Sequence, residues 1–214
     1  ATGAPGILLA TIGPGLANAV NVIANAEQDR VPLIVLTGCV DADEALTYTH
    51  QVMDHGALME PVTKASFTAV ENAADVMIGK ALAIATEGRP GPVHIDIPIS
   101  LATRDHADAR SPGRTPPAPA GPAEGPALEK ARAMFRASKR PVMVAGLDVL
   151  NEEGAARALR DFVETHRIPL LTTYKGKGIL PEDHELSLGG HGLSPVSDAL
   201  VMPFIAQADL VIAA

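Results

Sequence analysis

Three short stretches of the chain gather groups able to bind or react. The first is Gly13-Pro14-Gly15, with Asn18 four residues after Pro14; it closes an apolar run and opens a helical pattern. A glycine turn there aims backbone N–H groups beyond the carboxyl end of a strand, where open α/β sheets bind ligands. The same turn also serves as a plain tight bend in parallel sheets. The second is a polar run holding Tyr48, His50, Gln51, Asp54 and His55, which follows an apolar segment and has no clear period. Loops placed after a strand are where sites are assembled. The third, Tyr174-Lys175-Gly176-Lys177-Gly178, is a basic glycine loop suited to anion contact or to simple solvation.

Several chemistries fail on these residues. Gly13 and Gly15 have the spacing of the first two glycines of a dinucleotide fingerprint, but Asn18 occupies the third position and Pro14 has no N–H. The loop around Lys175 lacks the Gly-x-x-x-x-Gly-Lys-Ser/Thr spacing of a nucleotide-hydrolysing loop, and no Gly-x-Ser-x-Gly is present. The seven histidines are scattered. His50 and Asp54 are spaced to share a helix face, yet two ligands do not make a metal site. His191 lies among glycines, and neither it nor His184 has a carboxylate at ligand spacing in the sequence. The one cysteine, Cys39, rules out an internal disulfide, fits a reducing compartment and reads as a small buried residue.

The elements that must position these groups alternate. Residues 7–12 form an apolar run of the length of a strand buried on both faces. Leu16, Ala19, Val20, Ile23 and Ala26 then fall on one helical stripe. A second apolar strand covers 31–38, a short extended piece 61–68, a helix opens after Asn72 as its cap, and a strand runs over 93–98. Residues 105–126 hold dense Pro, Ala and Gly and read as a linker. Beyond it a helix stripe of Leu128, Ala131, Met134 and Phe135 leads to a strand over 142–146. Asn151 is placed to cap the next helix, a strand follows at 169–173, and a helix over 196–206 precedes the strand 210–213. Alternation of this kind predicts α/β architecture: two consecutive parallel-sheet, three-layer, Rossmann-like domains.

A net charge of −8 with both signs interspersed argues against a nucleic-acid surface. No apolar run reaches membrane-spanning length and no signal segment opens the chain, so a cytoplasmic protein is expected. The chain starts without Met and stops inside an apolar run, which reads as a piece of a longer protein.

The ordered set of segments resembles the thiamine-diphosphate enzymes of acetolactate synthase type. The resemblance is carried by Ala1-Thr2-Gly3, Gly13-Pro14-Gly15-Leu16-Ala17-Asn18, the strand 31–38, His50-Gln51, Pro61-Val62-Thr63-Lys64 and the run from Gly88 to Pro98. Past the linker it continues through the run from Arg140 to Gly146, Ile168-Pro169-Leu170 and Lys175-Gly176-Lys177-Gly178. It implies that 1–104 is the later part of a pyrimidine-binding domain and 127–214 an incomplete central domain. It also implies a homodimer or homotetramer with its active site at a subunit interface. The implied activity is carboligation or decarboxylation of a 2-oxo acid such as pyruvate, with thiamine diphosphate and Mg²⁺, the metal ligands lying outside this chain. By the same resemblance Gly13, Pro14, Gly15, Asn18 and Gln51 line the cofactor pocket, and the central domain binds FAD or ADP in some relatives. The cofactor would supply the electron sink and the protein orientation in a dry cleft. Two departures bear on substrate: Gln51 is flanked by His50 and Val52, and Glu60 stands where an arginine is usual. They leave room for a benzoylformate decarboxylase or aldehyde lyase type of member, with His50 as its acid–base group. Leu147-Asp148 carries no nucleotide signature. A non-catalytic nucleotide-binding module is the reading from another class, and the isolated chain is expected to be inactive.

Overall fold

The protein is described by a computed structural model covering residues 4–105, 121, 124–151 and 154–214. Contacts divide the chain into two compact units, Ala1–Pro119 and Ala120–Ala214. Most of the expected linker lies outside the described residues.

The first unit runs β1 (Gly6–Ala10), α1 (Pro14–Gln28), β2 (Leu33–Cys39), α2 (His55–Met59), β3 (Ala65–Thr68), α3 (Ala74–Thr86), β4 (Pro92–Pro98) and α4 (Ile99–Ala102). Its strands form one parallel sheet in the order β1-β2-β4-β3. The register sets Val35 and Ser66 beside His94, and Thr37 and Thr68 beside Asp96. Because strand side chains alternate, one face carries Ile34, Val93 and Ile95, packed with Ala81 and Ala85 of α3. The other carries Val35, packed with Leu16 and Ile23 of α1 and Met59 of α2. Each of these large apolar side chains contributes roughly 1.5–3 kcal/mol by leaving water. Toward the carboxyl ends the second face turns polar, through Thr37, Ser66, His94 and Asp96. The register, not any local motif, brings those four together.

The expected stripe of α1 holds: Leu16, Ile23 and Ala26 are buried and Ala19 and Val20 half-buried. The expected burial of the first strand on both faces does not. Among the described residues β1 ends its sheet, and Ile7 and Leu9 are 76% and 77% exposed, while α3 packs on β2 and β4. The expected cap at Asn72 also fails. Ala73 is the N-cap, and Asn72 takes φ +60° in the turn before it, a left-handed conformation that asparagine tolerates better than most residues.

The second unit runs α5 (Pro126–Ala137), β5 (Pro141–Ala145), α6 (Asp148–Asn151), α7 (Ala155–His166), β6 (Leu170–Thr173), β7 (Ser187–His191), α8 (Pro195–Ile205) and β8 (Leu210–Ala213). Its parallel sheet has the order β7-β6-β5-β8. Met143, Ala145, Val163, Ile168 and Leu170 form its core, with Phe135 and Phe162 packed on them. Asn151 ends α6 instead of capping α7, whose N-cap is Gly154. The basic stretch Tyr174–Gly176 is a turn of 3-10 helix directly after β6. Both units are thus α/β, each with one four-stranded parallel sheet and flanking helices.

Candidate functional site

Gly13 is the N-cap of α1, with φ +58° and ψ −108°, and it is buried. Pro14 starts the helix with its φ already helical and no N–H to satisfy. A Cβ on Gly13 would lie 2.3 Å from the backbone oxygen of Gln51. The structure therefore brings the Gly-Pro-Gly turn and Gln51 into contact through backbone. Pro14, Asn18 and Gln51 are exposed, while Gly15 is half-buried and Gly13 buried, so the turn presents Pro14 outward. Gln51 itself has φ +60°, a conformation that costs a non-glycine residue on the order of 1–3 kcal/mol and clusters at functional sites.

His50 is exposed in the loop before α2, and it does not share a helix face with Asp54. Asp54 is the N-cap of α2, its carboxylate accepting the N–H of Ala57 at 2.9 Å. The histidine that the fold engages is the next one. His55, 3% exposed, accepts the N–H of Gly13 at Nε2 (2.9 Å) and meets Asp96 Oδ1 with Nδ1 (2.7 Å). Thr37 Oγ1 donates to the same Oδ1 at 2.6 Å. His94 Nε2 lies 2.6 Å from Thr37 Oγ1, and its Nδ1 lies 2.7 Å from Ser66 Oγ.

The donors in this chain can be assigned. The N–H of Gly13 can only donate, so Nε2 of His55 accepts and its proton sits on Nδ1, donated to Asp96. Thr37 gives its one proton to Asp96, so His94 donates from Nε2 to Thr37 and accepts from Ser66 at Nδ1. His94 Nε2 is 3.5 Å from Asp96 Oδ1, too far to compete with Thr37 at 2.6 Å. Burial pushes the Asp96 carboxyl up, and the nearby His94 together with the bonds donated by Thr37 and His55 outweighs burial and holds it below its ordinary value of 3.8. Every buried side-chain polar atom among the described residues has a partner.

His55, His94 and Asp96 offer three ligand atoms within 4.8 Å of one another. At the ~2.0–2.1 Å bond lengths of a tetrahedral centre, ligand atoms stand a little over 3 Å apart. The 2.7 Å between His55 Nδ1 and Asp96 Oδ1 is a hydrogen bond instead. The three side chains use their ligand atoms on each other. His184 and His191 do meet carboxylates, Glu164 at 3.4 Å and Asp198 at 3.3 Å, contacts that sequence spacing hides.

A cleft of about 710 Å³ opens at the carboxyl ends of β2 and β4 and runs along β3, with Cys39, His55, Glu60, Lys64, Thr68 and Asp96 on its wall. None of Gly13, Pro14, Gly15, Asn18 or Gln51 lines it. His55 joins the two places, since it lines the cleft and bonds the turn. Burial first, then the charges of Asp96 and Asp41, push the Cys39 thiol up to about 11. At pH 8 iodoacetamide should therefore label Cys39 on the order of 10²-fold more slowly than a free thiol. Labelling at the free-thiol rate would show that Cys39 is neither buried nor faced by those carboxylates as described.

Comparison with known proteins decides what this arrangement belongs to. The family described as thiamine pyrophosphate enzyme, N-terminal TPP binding domain, matches residues 1–58, and thiamine pyrophosphate enzyme, central domain, matches 128–214. The two matches follow each other along the chain, one in each unit. The chain belongs to the thiamine-diphosphate-dependent, acetolactate synthase-like family. It is 35% identical to the acetolactate synthase isozyme 1 large subunit of Escherichia coli K12 over 212 residues, 98% of this chain and 37% of that protein. It is also 35% identical to the acetolactate synthase large subunit of Lactococcus lactis over 196 residues (90% of this chain, 34% of that one). A probable acetolactate synthase large subunit of Methanocaldococcus jannaschii is 36% identical over 203 residues, again 90% and 34%. This chain thus spans about a third of the length of these family members. Among its described residues no helix is long and apolar enough to cross a membrane.

The chain's own residues fit one side of the cofactor. Pro14, the exposed residue of the turn, offers a rigid apolar edge, and the exposed amides of Asn18 and Gln51 offer donors and acceptors without charge. Among the described residues the cluster of three potential ligands, His55, His94 and Asp96, is closed on itself and leaves Mg²⁺ no open ligand atoms.

Proposed function

We propose that the protein to which this chain belongs is a thiamine-diphosphate-dependent carboligase or decarboxylase of 2-oxo acids, pyruvate or a close relative, working as a cytoplasmic homo-oligomer. The observation that carries this reading is the unbroken similarity to acetolactate synthase large subunits over nearly the whole chain, through both units in family order. The bound cofactor would supply an electron sink beside the carbonyl of the 2-oxo acid. The chain's part is to bind and orient: Gly13, Pro14 and Gly15 form a stiff wall, and Asn18 and Gln51 direct polar groups at its rim. Mg²⁺ would be held by residues other than those described here. The chain by itself, about a third of its relatives, is expected to turn over nothing.

The test uses the full-length protein. Pyruvate consumption should require both thiamine diphosphate and a divalent cation, and Asn18→Ala and Gln51→Ala should each lower kcat/KM about tenfold or more. No turnover of any 2-oxo acid with both present would overturn the proposal. Tight binding of FAD or ADP without such turnover would favour the nucleotide-binding module instead.

A further inference from the structure

We infer that His55, anchored by Asp96, is a positioning residue that clamps the Gly13-Pro14-Gly15 turn in the conformation it presents to a ligand. The inference deepens the proposed function and rests on that reading where it concerns the cofactor.

The N-cap N–H of a helix has no partner within the helix, and a buried one must find it elsewhere. Gly13 is buried, and its N–H ends on an imidazole supplied from the start of α2, 42 residues further along the chain. That imidazole has no freedom to turn away. Its other nitrogen is tied to Asp96, and Asp96 is tied to Thr37 on the neighbouring strand. The turn is thus fastened to the middle of the sheet, through β4 and β2, and not only to the end of β1.

The directions of the bonds separate a clamp from a proton wire. A wire needs each group to hand its proton the same way along the chain. Here both arms point inward: Gly13 to His55 to Asp96 from one side, and Ser66 to His94 to Thr37 to Asp96 from the other. Protons converge on one carboxylate oxygen, so the network conducts nothing and fixes geometry. A positioned wall is what an orienting site needs, since small displacements of a positioning group cost large factors in rate. His55 also lines the cleft, so its substitution reaches both the cleft and the turn.

Two substitutions at His55 in the full-length protein separate positioning from bulk structure. Glutamine carries an acceptor and a donor about as far apart as the two ring nitrogens, so His55→Gln can keep both bonds. Asparagine is shorter, so His55→Asn can keep Asp96 but not reach Gly13. His55→Asn should speed amide hydrogen exchange at Gly13 at least about tenfold and raise the half-saturating thiamine diphosphate concentration about tenfold, and His55→Gln should stay within about threefold of wild type in both. His55→Met, which fills the space with neither bond, carries the same expectation as asparagine should that variant not accumulate. A merely structural role would lower the thermal midpoint and the active fraction while leaving half-saturation unchanged; that outcome, or glutamine failing as badly as asparagine, overturns the inference. Wild-type protein that binds no thiamine diphosphate would overturn the proposed function, while Gly13 exchange would still report on the clamp.

Discussion

Gly13→Ala should destabilise the first unit by at least about 3 kcal/mol, the sum of a forbidden backbone conformation and a steric overlap that cannot relax cheaply. The pair φ +58°, ψ −108° is that of the first central residue of a type II′ turn, which glycine dominates because it lacks a Cβ. The added methyl would meet the Gln51 oxygen at 2.3 Å and the Gln51 carbonyl carbon at 3.1 Å. Those atoms are backbone, so the loop before α2 has to move as a whole. That loop leads straight into His55, and its displacement pulls the Nε2 acceptor away from Gly13. The substitution therefore strains the turn and unfastens it together. Urea unfolding of wild type and variant measures the loss. A change below about 1 kcal/mol would mean that the turn and the Gln51 loop do not touch as described. Pro14→Ala is the matched control: it alters the same turn without adding bulk against Gln51, and should cost no more than about 1 kcal/mol.

The alternation of strands and helices is legible in the sequence because parallel strands covered on both sides are near-continuous apolar runs, set off here by glycine and proline. β2 and β5 follow that pattern most closely. β7 escapes it, since Ser187-Leu188-Gly189-Gly190-His191 has one large apolar residue and sits at the sheet edge. β1 shows the reverse case: its run is as apolar as a central strand's, yet among the described residues it ends the sheet with Ile7 and Leu9 exposed. The two asparagine caps misplace by one to three residues for different reasons: Asn151 is the last residue of α6. Asparagine is as good in a left-handed turn as at an N-cap, and Asn72 takes the turn.

The site divides the same way. Gly13, Pro14, Gly15, Asn18 and Gln51 are visible as types in a strand–turn–helix setting, and what makes them candidates for a cofactor is family resemblance. The network behind them is not visible as a motif. Asp96, Thr37 and His94 meet through strand register, and His55 joins them from the start of α2, the segments lying up to 59 residues apart. A signal was present all the same. In Val93-His94-Ile95-Asp96-Ile97, two polar residues alternate within an apolar strand of a sheet with helices on both sides. Two buried polar side chains on one face must have partners. Thr37, in the middle of another such strand, is the residue to pair with them.

The partner accounting also sets the other large effect. Asp96→Ala should cost about 3–5 kcal/mol at pH 7, because it strands the Nδ1–H of His55 and the hydroxyl of Thr37 in a buried place. Asp96→Asn keeps an acceptor oxygen and loses the charge, so a smaller loss of about 1–3 kcal/mol is expected. The pH dependence follows from sign. The folded carboxyl lies below its ordinary 3.8, so its contribution is fully present above the unfolded value and is lost as pH falls through the lower folded value. The stability gap between wild type and Asp96→Asn should hold from pH 7 down to about 5 and then close below about pH 4. Urea midpoints measured across that range test it. A gap that stayed constant into acid would show that Asp96 is not held as a carboxylate, and with it the converging direction of the bonds, on which the clamp depends, would be lost. A gap that closes on schedule ties the turn at Gly13 to a charge on β4, through one histidine.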